Sequence, residues 1–343
     1  MMPSVHVPAF ELQRAFDAVN MSGFLSGGRY TKQFEHEVSR WCGMESVAVA
    51  NCGMGLFAIL RTLPKRTAAL GRPRGYGVAV VSANTFFATG AMAREAGYEV
   101  VLADCSKRDF CLSVESLERY APPDTAVVIL THVGGGLAKD YVEIAEWCHR
   151  RGVLLVEDAA HALGCGGDVH GGLTAGSLGH AAAFSCYATK PMCIGEGGVV
   201  VSRSPVVVSE VERFCNYGKA TGAAGEIYYS GVGFNARMSE WTAAVGYLQM
   251  KRRKPMMERR ARAADHLARM VKPLVRWDAS TWYKFIVPAE VIAKRYTGQV
   301  YAASDQLTGS MRLPGSFPNA EWVAANHKCL PIEEGLYAGQ KEF

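Results

Sequence analysis

The chain has 343 residues, of which 49% are hydrophobic and 20% charged, with a net charge of +5. This composition excludes an intrinsically disordered chain, and so mild and scattered a positive charge does not indicate a nucleic-acid-binding protein. No apolar run approaches the roughly 18 residues of a membrane helix, and the N-terminus lacks a signal-peptide pattern. The ten cysteines form no C-x-x-C pair, so we expect reduced thiols, a cytoplasmic protein and no metal site.

Short apolar runs alternate with helical segments after an N-terminal arm. The predicted strands cover residues 46–50, 77–82, 99–103, 126–131, 153–157 and 197–202. Helices are predicted at 53–60, 89–96 and 140–151, and over a long segment from 239 to about 271 in which Pro255 causes a kink or a break. Strands that alternate with helices are typical of βαβ units and of a mainly parallel sheet. The remainder, with 282–289 as its clearest strand, is predicted to form a small α+β domain.

Lys190 lies in an apolar, glycine-rich stretch, FSCYATKPMCIGEGG, with no other charge before Glu196. Desolvation disfavours an ammonium group, so we expect a lowered pKa and some neutral amine at neutral pH. A neutral amine can form a Schiff base with a carbonyl group. Taken by itself, the residue would be interpreted as an ordinary lysine in a surface loop.

Asp158 ends the run GVLLVED, which is predicted to be a strand buried on both faces of a parallel sheet. In open α/β sheets ligands bind outside the carboxyl ends of the strands, so Asp158 is expected to face a ligand. It could instead cap the next helix. A Schiff-base lysine and an acidic partner for a pyridinium nitrogen are the groups that pyridoxal phosphate (PLP) needs, so Lys190 and Asp158 together favour PLP.

Other segments fit a cofactor that carries a phosphate and a flat ring. VAVANCGMGLFAIL runs from a strand through a tight turn into a helix, so the amides of Gly53 and Met54 are expected to face an anion. Phe86 or Phe87 would cover one face of the ring, and Ser185 would reach the phosphate. The segment contains neither a Walker loop nor G-x-G-x-x-G, which argues against a nicotinamide-dependent dehydrogenase.

Together these segments closely resemble the DegT/StrS-type aminotransferases, PLP enzymes that aminate keto sugars on nucleotide carriers. The resemblance runs from FLSGGRYTKQFE through VEDAAHALG, GSLGHAAAFSCYATK and GFNARMSEWTAAVG to WYKF. It implies an α/β protein of fold type I, with a three-layer αβα large domain around a mainly parallel seven-stranded sheet and a small α+β C-terminal domain. We assign these domains to residues 1–250 and 251–343. The resemblance also implies a homodimer whose active sites are shared between subunits.

The resemblance further assigns roles to individual residues. Lys190 is implied to be the Schiff-base lysine and proton shuttle, and Asp158 the partner of the pyridine nitrogen. Phe86 would stack on the ring, and His161 would lie near the ring hydroxyl. The remaining cofactor contacts are phosphate contacts, from Ser185, from the Gly53 and Met54 amides, and from Asn235 across the dimer.

Substrate contacts are expected from Lys219, Tyr228, Tyr229 and Lys284. The chain also departs from the family pattern. Met54 stands where Thr or Ser is usual, so one side-chain bond to the phosphate is expected to be lost. Gly134 stands where a larger, often aromatic residue is common, and we expect it to widen the substrate pocket.

The function that follows is transfer of an amino group from glutamate or glutamine to a nucleotide-linked keto sugar or related ketone, by way of pyridoxamine phosphate. We expect only small-molecule substrates, with neither a nucleic-acid nor a membrane partner. Two alternatives remain open, a PLP-dependent dehydratase or lyase on the same scaffold and a non-catalytic PLP-binding regulatory protein. Sugar dehydratases that resemble this family carry His at the lysine position, and Lys190 argues against that version.

Overall fold

The structure, a computed structural model, describes residues 7–63, 77–167, 172–222, 224–301 and 315–332. At its centre lies a sheet of seven strands, in the order β1-β7-β6-β5-β4-β2-β3. The strands are β1 (Glu45–Val49), β2 (Val78–Ser82), β3 (Glu99–Ala103), β4 (Thr125–Thr131), β5 (Leu154–Asp158), β6 (Ala181–Ser185) and β7 (Gly198–Ser202). Strands β2 to β6 pair in parallel, and β7 runs antiparallel to both β6 and β1. The mainly parallel seven-stranded sheet that the resemblance implied is confirmed, although no local pattern predicted β6.

Helices follow most of the strands. Those of the large α/β part are α1 (Ala9–Ser22), α2 (Arg29–Cys42), α3 (Cys52–Thr62), α4 (Phe87–Glu95), α5 (Val114–Tyr120), α6 (Tyr141–Arg151), α7 (Pro205–Phe214) and α8 (Glu240–Lys251). A short hairpin, β8 (Lys219–Thr221) and β9 (Ile227–Tyr229), lies between α7 and α8. The sequence patterns predicted α3, α4 and α6 within two residues at each end, but they did not predict α5, α7 or this hairpin.

The sheet separates two apolar cores. On β6, Ala183 packs with the cluster that contains Leu56 of α3, whereas its neighbour Phe184 packs with Phe34 of α2 and Met250 of α8. Alternate residues of a strand point to opposite faces, so both faces of the sheet are covered. The predicted three-layer αβα arrangement is confirmed.

The C-terminal part contains α9 (Arg253–Met270), β10 (Phe285–Pro288), α10 (Pro318–Asn326) and β11 (His327–Leu330), and β10 pairs antiparallel with β11. The predicted long helix breaks between α8 and α9 at Arg252 and not at Pro255, because proline is tolerated in the first turn of a helix. The division at residue 250 stays a prediction.

None of the helices in the described ranges is long and apolar enough to span a membrane.

Candidate active site

Several of the predicted site residues meet at one edge of the sheet. Asp158 ends β5, Ser185 ends β6, and Lys190 follows in the loop that leads to β7. Strand β1 runs in the same direction as β6, because β7 is antiparallel to both, and the N-terminus of α3, which follows β1, therefore lies at the same edge. This is the carboxyl edge of the parallel strands, where open α/β sheets bind their ligands.

Lys190 is half-buried, and its backbone N–H donates to the carbonyl of Tyr187 at 2.8 Å. Burial lowers the pKa of Lys190 to about 8, although Cys52 and Asp158 raise it in part. Burial also raises the pKa of the Cys52 thiol well above its usual value, so that thiol is uncharged at neutral pH. Asp158 is therefore the counter-charge for a protonated Lys190, and the lowered pKa predicted from the sequence is confirmed.

Asp158 is almost fully buried, with 3% of its surface exposed. Its Oδ2 accepts a hydrogen bond from Thr89 Oγ1 at 2.5 Å, and its Oδ1 accepts one from the Ala160 N–H at 3.1 Å. Burial raises the pKa of this carboxyl, while the two hydrogen bonds and the charge of Lys190 act in the opposite direction. The hydrogen bonds thus hold the side chain in place. Together with Lys190 they do not fully offset the effect of burial, so the pKa of Asp158 stays above its usual value.

A chain of buried threonines leads to this carboxylate, and the sequence analysis missed it. The Thr85 hydroxyl lies 2.7 Å from that of Thr131 and 2.9 Å from that of Thr89. Because Thr89 gives its proton to Asp158, each hydroxyl must donate to the next, from Thr131 through Thr85 to Thr89. The four-residue spacing of Thr85 and Thr89 was the available signal, but only the fold brings Thr131 beside them.

Glu157, the neighbour of Asp158 on β5, points to the opposite side of the sheet and is fully buried. Its carboxylate accepts hydrogen bonds from the Tyr141 hydroxyl at 2.8 Å and from the backbone N–H groups of Gly176 at 2.5 Å and Gly179 at 2.6 Å. The fourth donor is His132 Nε2 at 2.8 Å, since the other ring nitrogen of His132 accepts a backbone N–H. This network anchors the strand that carries Asp158.

His161 is buried and lies close enough to Lys190 to sense its charge. Its Nδ1 accepts the N–H of Gly134 at 3.3 Å, and its ring packs against that of Tyr283 at a tilt of 36°, with centroids 4.3 Å apart. Burial lowers the pKa of His161 well below its usual value, and the positive charges of Lys190 and Lys284 lower it further. The imidazole is therefore neutral, with its proton on Nε2.

Gly134 lies in a glycine turn, residues 134–136, that wraps around Trp277. A Cβ at Gly134 would lie 2.6 Å from Cη2 of the indole, and one at Gly136 would lie 2.0 Å from its Cδ1. Gly134 also has a φ of +70°, which favours glycine. The prediction that Gly134 widens the pocket is therefore wrong, because the Trp277 indole fills that space.

One of the groups predicted to bind the phosphate, the Met54 N–H, is already hydrogen-bonded within the protein. The side chain of Asn51 caps α3 and accepts the Met54 N–H at 2.9 Å, so this amide already has a partner. The Gly53 N–H makes no hydrogen bond to any described residue, and the Ser185 hydroxyl accepts the Tyr187 N–H at 3.3 Å. Gly53, Ser185 and the positive end of the α3 dipole remain available to an anion.

The other predicted residues lie on or near the surface. Phe86 precedes α4 and is 58% exposed, as its ring face must be to stack on a ligand. Asn235 is exposed, and so are Tyr228 and Tyr229 on the hairpin that also carries Lys219. No hydrogen bond, ion pair or ring contact among the described residues joins any of these five to Lys190. Lys284 lies nearer to the site, where its Nζ donates to the carbonyl of Thr297 at 2.9 Å.

Comparison with known proteins agrees with this geometry, since the sequence profile of the DegT/DnrJ/EryC1/StrS aminotransferase family matches residues 9–285. The chain belongs to this family. Membership identifies the protein as an aminotransferase, and its fold is the type I fold of PLP-dependent transferases, as the sequence predicted.

Three of its similar relatives show how far this likeness extends. The erythromycin biosynthesis sensory transduction protein EryC1 of Saccharopolyspora erythraea is 28% identical over 94% of this chain and 90% of its own length. A dTDP-3-amino-3,4,6-trideoxy-alpha-D-glucose transaminase of Micromonospora megalomicea is 31% identical over 69% of this chain, which spans 61% of the relative. The crystal structure of the aminotransferase TlmJ from Streptoalloteichus hindustanus superposes with a TM-score of 0.82 at 26% identity, covering 98% of this chain and 94% of that one.

Proposed function

We propose that this protein is a PLP-dependent aminotransferase that moves an amino group from glutamate or glutamine to a nucleotide-linked keto sugar or a related ketone. The observation that carries the proposal is Lys190, whose amine has a pKa of about 8 beside the buried carboxylate of Asp158. Family membership supports the reaction type. The relative named as a dTDP-amino-sugar transaminase supports the class of acceptor.

The donor set fits PLP. Asp158 would pair with the protonated pyridine nitrogen and gain the counter-charge that its burial calls for. Lys190 would bond to the cofactor carbonyl, and the free Nε2–H of His161 would donate to the ring oxygen. Gly53 and Ser185 would hold the phosphate at the start of α3.

When bound, PLP supplies an electron sink for negative charge on the carbon that carries the amino group. The protein's own part is proton transfer and positioning. With a pKa of about 8, Lys190 can take up a proton at its Nζ and give it back near neutral pH. Asp158, held by Thr89 and the Ala160 amide, keeps its charge at a fixed position while this happens.

We infer that the protein acts as a homodimer with shared sites. Large apolar side chains are exposed on the described surface, among them Phe24 (64%), Tyr229 (69%) and Val232 (83%). Exposed large apolar side chains are candidates for a protein–protein contact. A second copy that covered them would also let the exposed Asn235 reach the partner's phosphate.

An absorbance titration tests the function. Protein loaded with PLP is mixed with L-glutamate or L-glutamine, and we expect the visible band to fall as the bound cofactor becomes pyridoxamine phosphate and the donor leaves as its keto acid. D-glutamate, which has the same charge but the wrong hand, is the matched control. A nucleotide-linked keto sugar should then restore the band and leave as an amine. Loss of water from the sugar without amine transfer would favour a dehydratase, and failure of every donor would favour a regulatory protein.

A further inference from the structure

Tyr283 occupies a position beside Lys190 that the sequence analysis did not assign. The Lys190 Nζ lies 4.5 Å from the centroid of the Tyr283 ring, which is the geometry of a cation–π contact. The same ring packs against the His161 ring in a tilted arrangement, with 4.3 Å between centroids. Its hydroxyl points to Thr189, whose Oγ1 is 3.3 Å away, so Lys190 faces the ring and not the phenol oxygen.

The backbone on both sides of Tyr283 is fixed to the glycine turn. Thr281 N–H donates to the carbonyl of Gly135 at 2.9 Å, and Lys284 N–H donates to the carbonyl of Gly134 at 3.1 Å. The Thr281 hydroxyl also donates to the carbonyl of His161 at 2.7 Å. Tyr283 therefore has little freedom to move away from Lys190.

Four groups from separate elements face the Lys190 amine. They are Cys52 of α3, Asp158 of β5, His161 after β5, and Tyr283 before β10. Burial keeps the Cys52 thiol and the His161 imidazole uncharged, because it raises the pKa of the first and lowers the pKa of the second. Of these four groups, the Asp158 carboxylate and the Tyr283 ring face are the two that can stabilise an ammonium. The Nζ of Lys284 also lies near this ring, 5.1 Å from its centroid, but farther away than the Nζ of Lys190.

We propose that the face of the Tyr283 ring holds the protonated Lys190 side chain whenever it is not bonded to the cofactor, and thereby sets how much neutral amine is available. This proposal rests on the proposed function, in which Lys190 is released from the cofactor and carries a proton during turnover, and so needs a defined position while it is protonated. Tyr283 acts through Lys190 and is a positioning residue. The contact is made by the ring face and not by the hydroxyl, so phenylalanine at position 283 should stabilise the Lys190 ammonium as well as tyrosine does.

The test measures the pKa of Lys190 in the cofactor-free protein by competitive labelling with trace acetic anhydride at a series of pH values. Only the neutral amine is acetylated, and mass spectrometry reads Lys190 separately from other lysines. Tyr283→Phe should leave the midpoint where it is in the natural protein. Mono-, di- and trifluorophenylalanine at position 283 withdraw charge from the ring face at almost constant shape, and should lower the midpoint stepwise, by about 0.5 to 1 pH unit in all.

The same fluorinated series at Tyr301 is the control, because Tyr301 also stacks on His161 but no ammonium lies over its ring within the described ranges. No shift there is expected. An unchanged midpoint across the series at position 283, or an equal shift at Tyr301, would overturn the proposal. The labelling needs neither cofactor nor turnover, so its failure is separate from failure of the amine-transfer assay.

Discussion

The hydrogen bond from Thr89 to Asp158 allows a sharp test of how the carboxylate is held. Thr89→Val replaces the hydroxyl by a methyl group of similar size at a site with no solvent exposure, so no cavity is created. A hydrogen bond to a charged group contributes about 1.5 to 3 kcal/mol, and this one is 2.5 Å long. The substitution also removes the neutral hydrogen bond from Thr85, so we expect the free energy of unfolding of the cofactor-free protein to fall by about 2 to 4.5 kcal/mol at pH 7.5, measured in urea by tryptophan fluorescence.

The cost of Thr89→Val in unfolding free energy should also depend on pH, in a direction that the pKa of Asp158 determines. The Thr89 bond lowers the pKa of Asp158, so its loss raises a pKa that burial has already raised. The penalty is therefore present above the folded-state pKa of Asp158 and shrinks as the pH falls through that pKa, where the carboxyl is neutral in both variants.

Thr85→Val is the matched control, because it breaks the same chain one step earlier and leaves the Asp158 hydrogen bond in place. It removes two bonds between neutral hydroxyls, worth about 1 to 3 kcal/mol together, and its cost should not change with pH. The reasoning is refuted if Thr89→Val costs no more than Thr85→Val, or if its cost is the same at every pH.

Three further outcomes follow from other parts of the site. Gly136→Ala should lower the free energy of unfolding by about 1 to 3 kcal/mol, because its Cβ meets Cγ and Cδ1 of Trp277. The same substitution should cost almost nothing in a Trp277→Ala background, which removes both atoms, and equal costs in the two backgrounds would disprove the steric account. Glu157→Gln should cost about 3 kcal/mol or more in urea unfolding, since an amide cannot accept from four donors, and a loss below about 1 kcal/mol would count against the buried network. The rate at which cofactor-free protein captures PLP should rise with pH and level off above a midpoint near 8, as only neutral Lys190 reacts; a flat profile would contradict the lowered pKa.

Local patterns were enough to predict the elements that carry the two central groups. Asp158 follows a short apolar run that is a buried strand, and Lys190 lies in a stretch with too few polar neighbours to keep it hydrated. These properties depend on residues close in sequence. The break at Arg252 was misplaced at Pro255 because sequence alone does not say which turn of a helix a proline occupies.

Contacts between distant segments could not be predicted in this way. Nothing in the local sequence of Gly134 says that Trp277 will fill the space beside it, so its small size suggested a wider pocket. Nor does any local pattern place Thr131 next to Thr85, or the Tyr283 ring against Lys190. Such pairs are set by how strands and loops from different parts of the chain come together.

The central claim is that Lys190 is the residue that bonds to the cofactor, and one measurement tests it directly. Protein incubated with PLP is reduced with borohydride, digested, and mapped by mass spectrometry, with Lys190→Ala as the parallel sample. We expect the phosphopyridoxyl group on Lys190, and no visible absorbance band in the variant. Attachment at another lysine, or a band that persists in Lys190→Ala, would contradict the account.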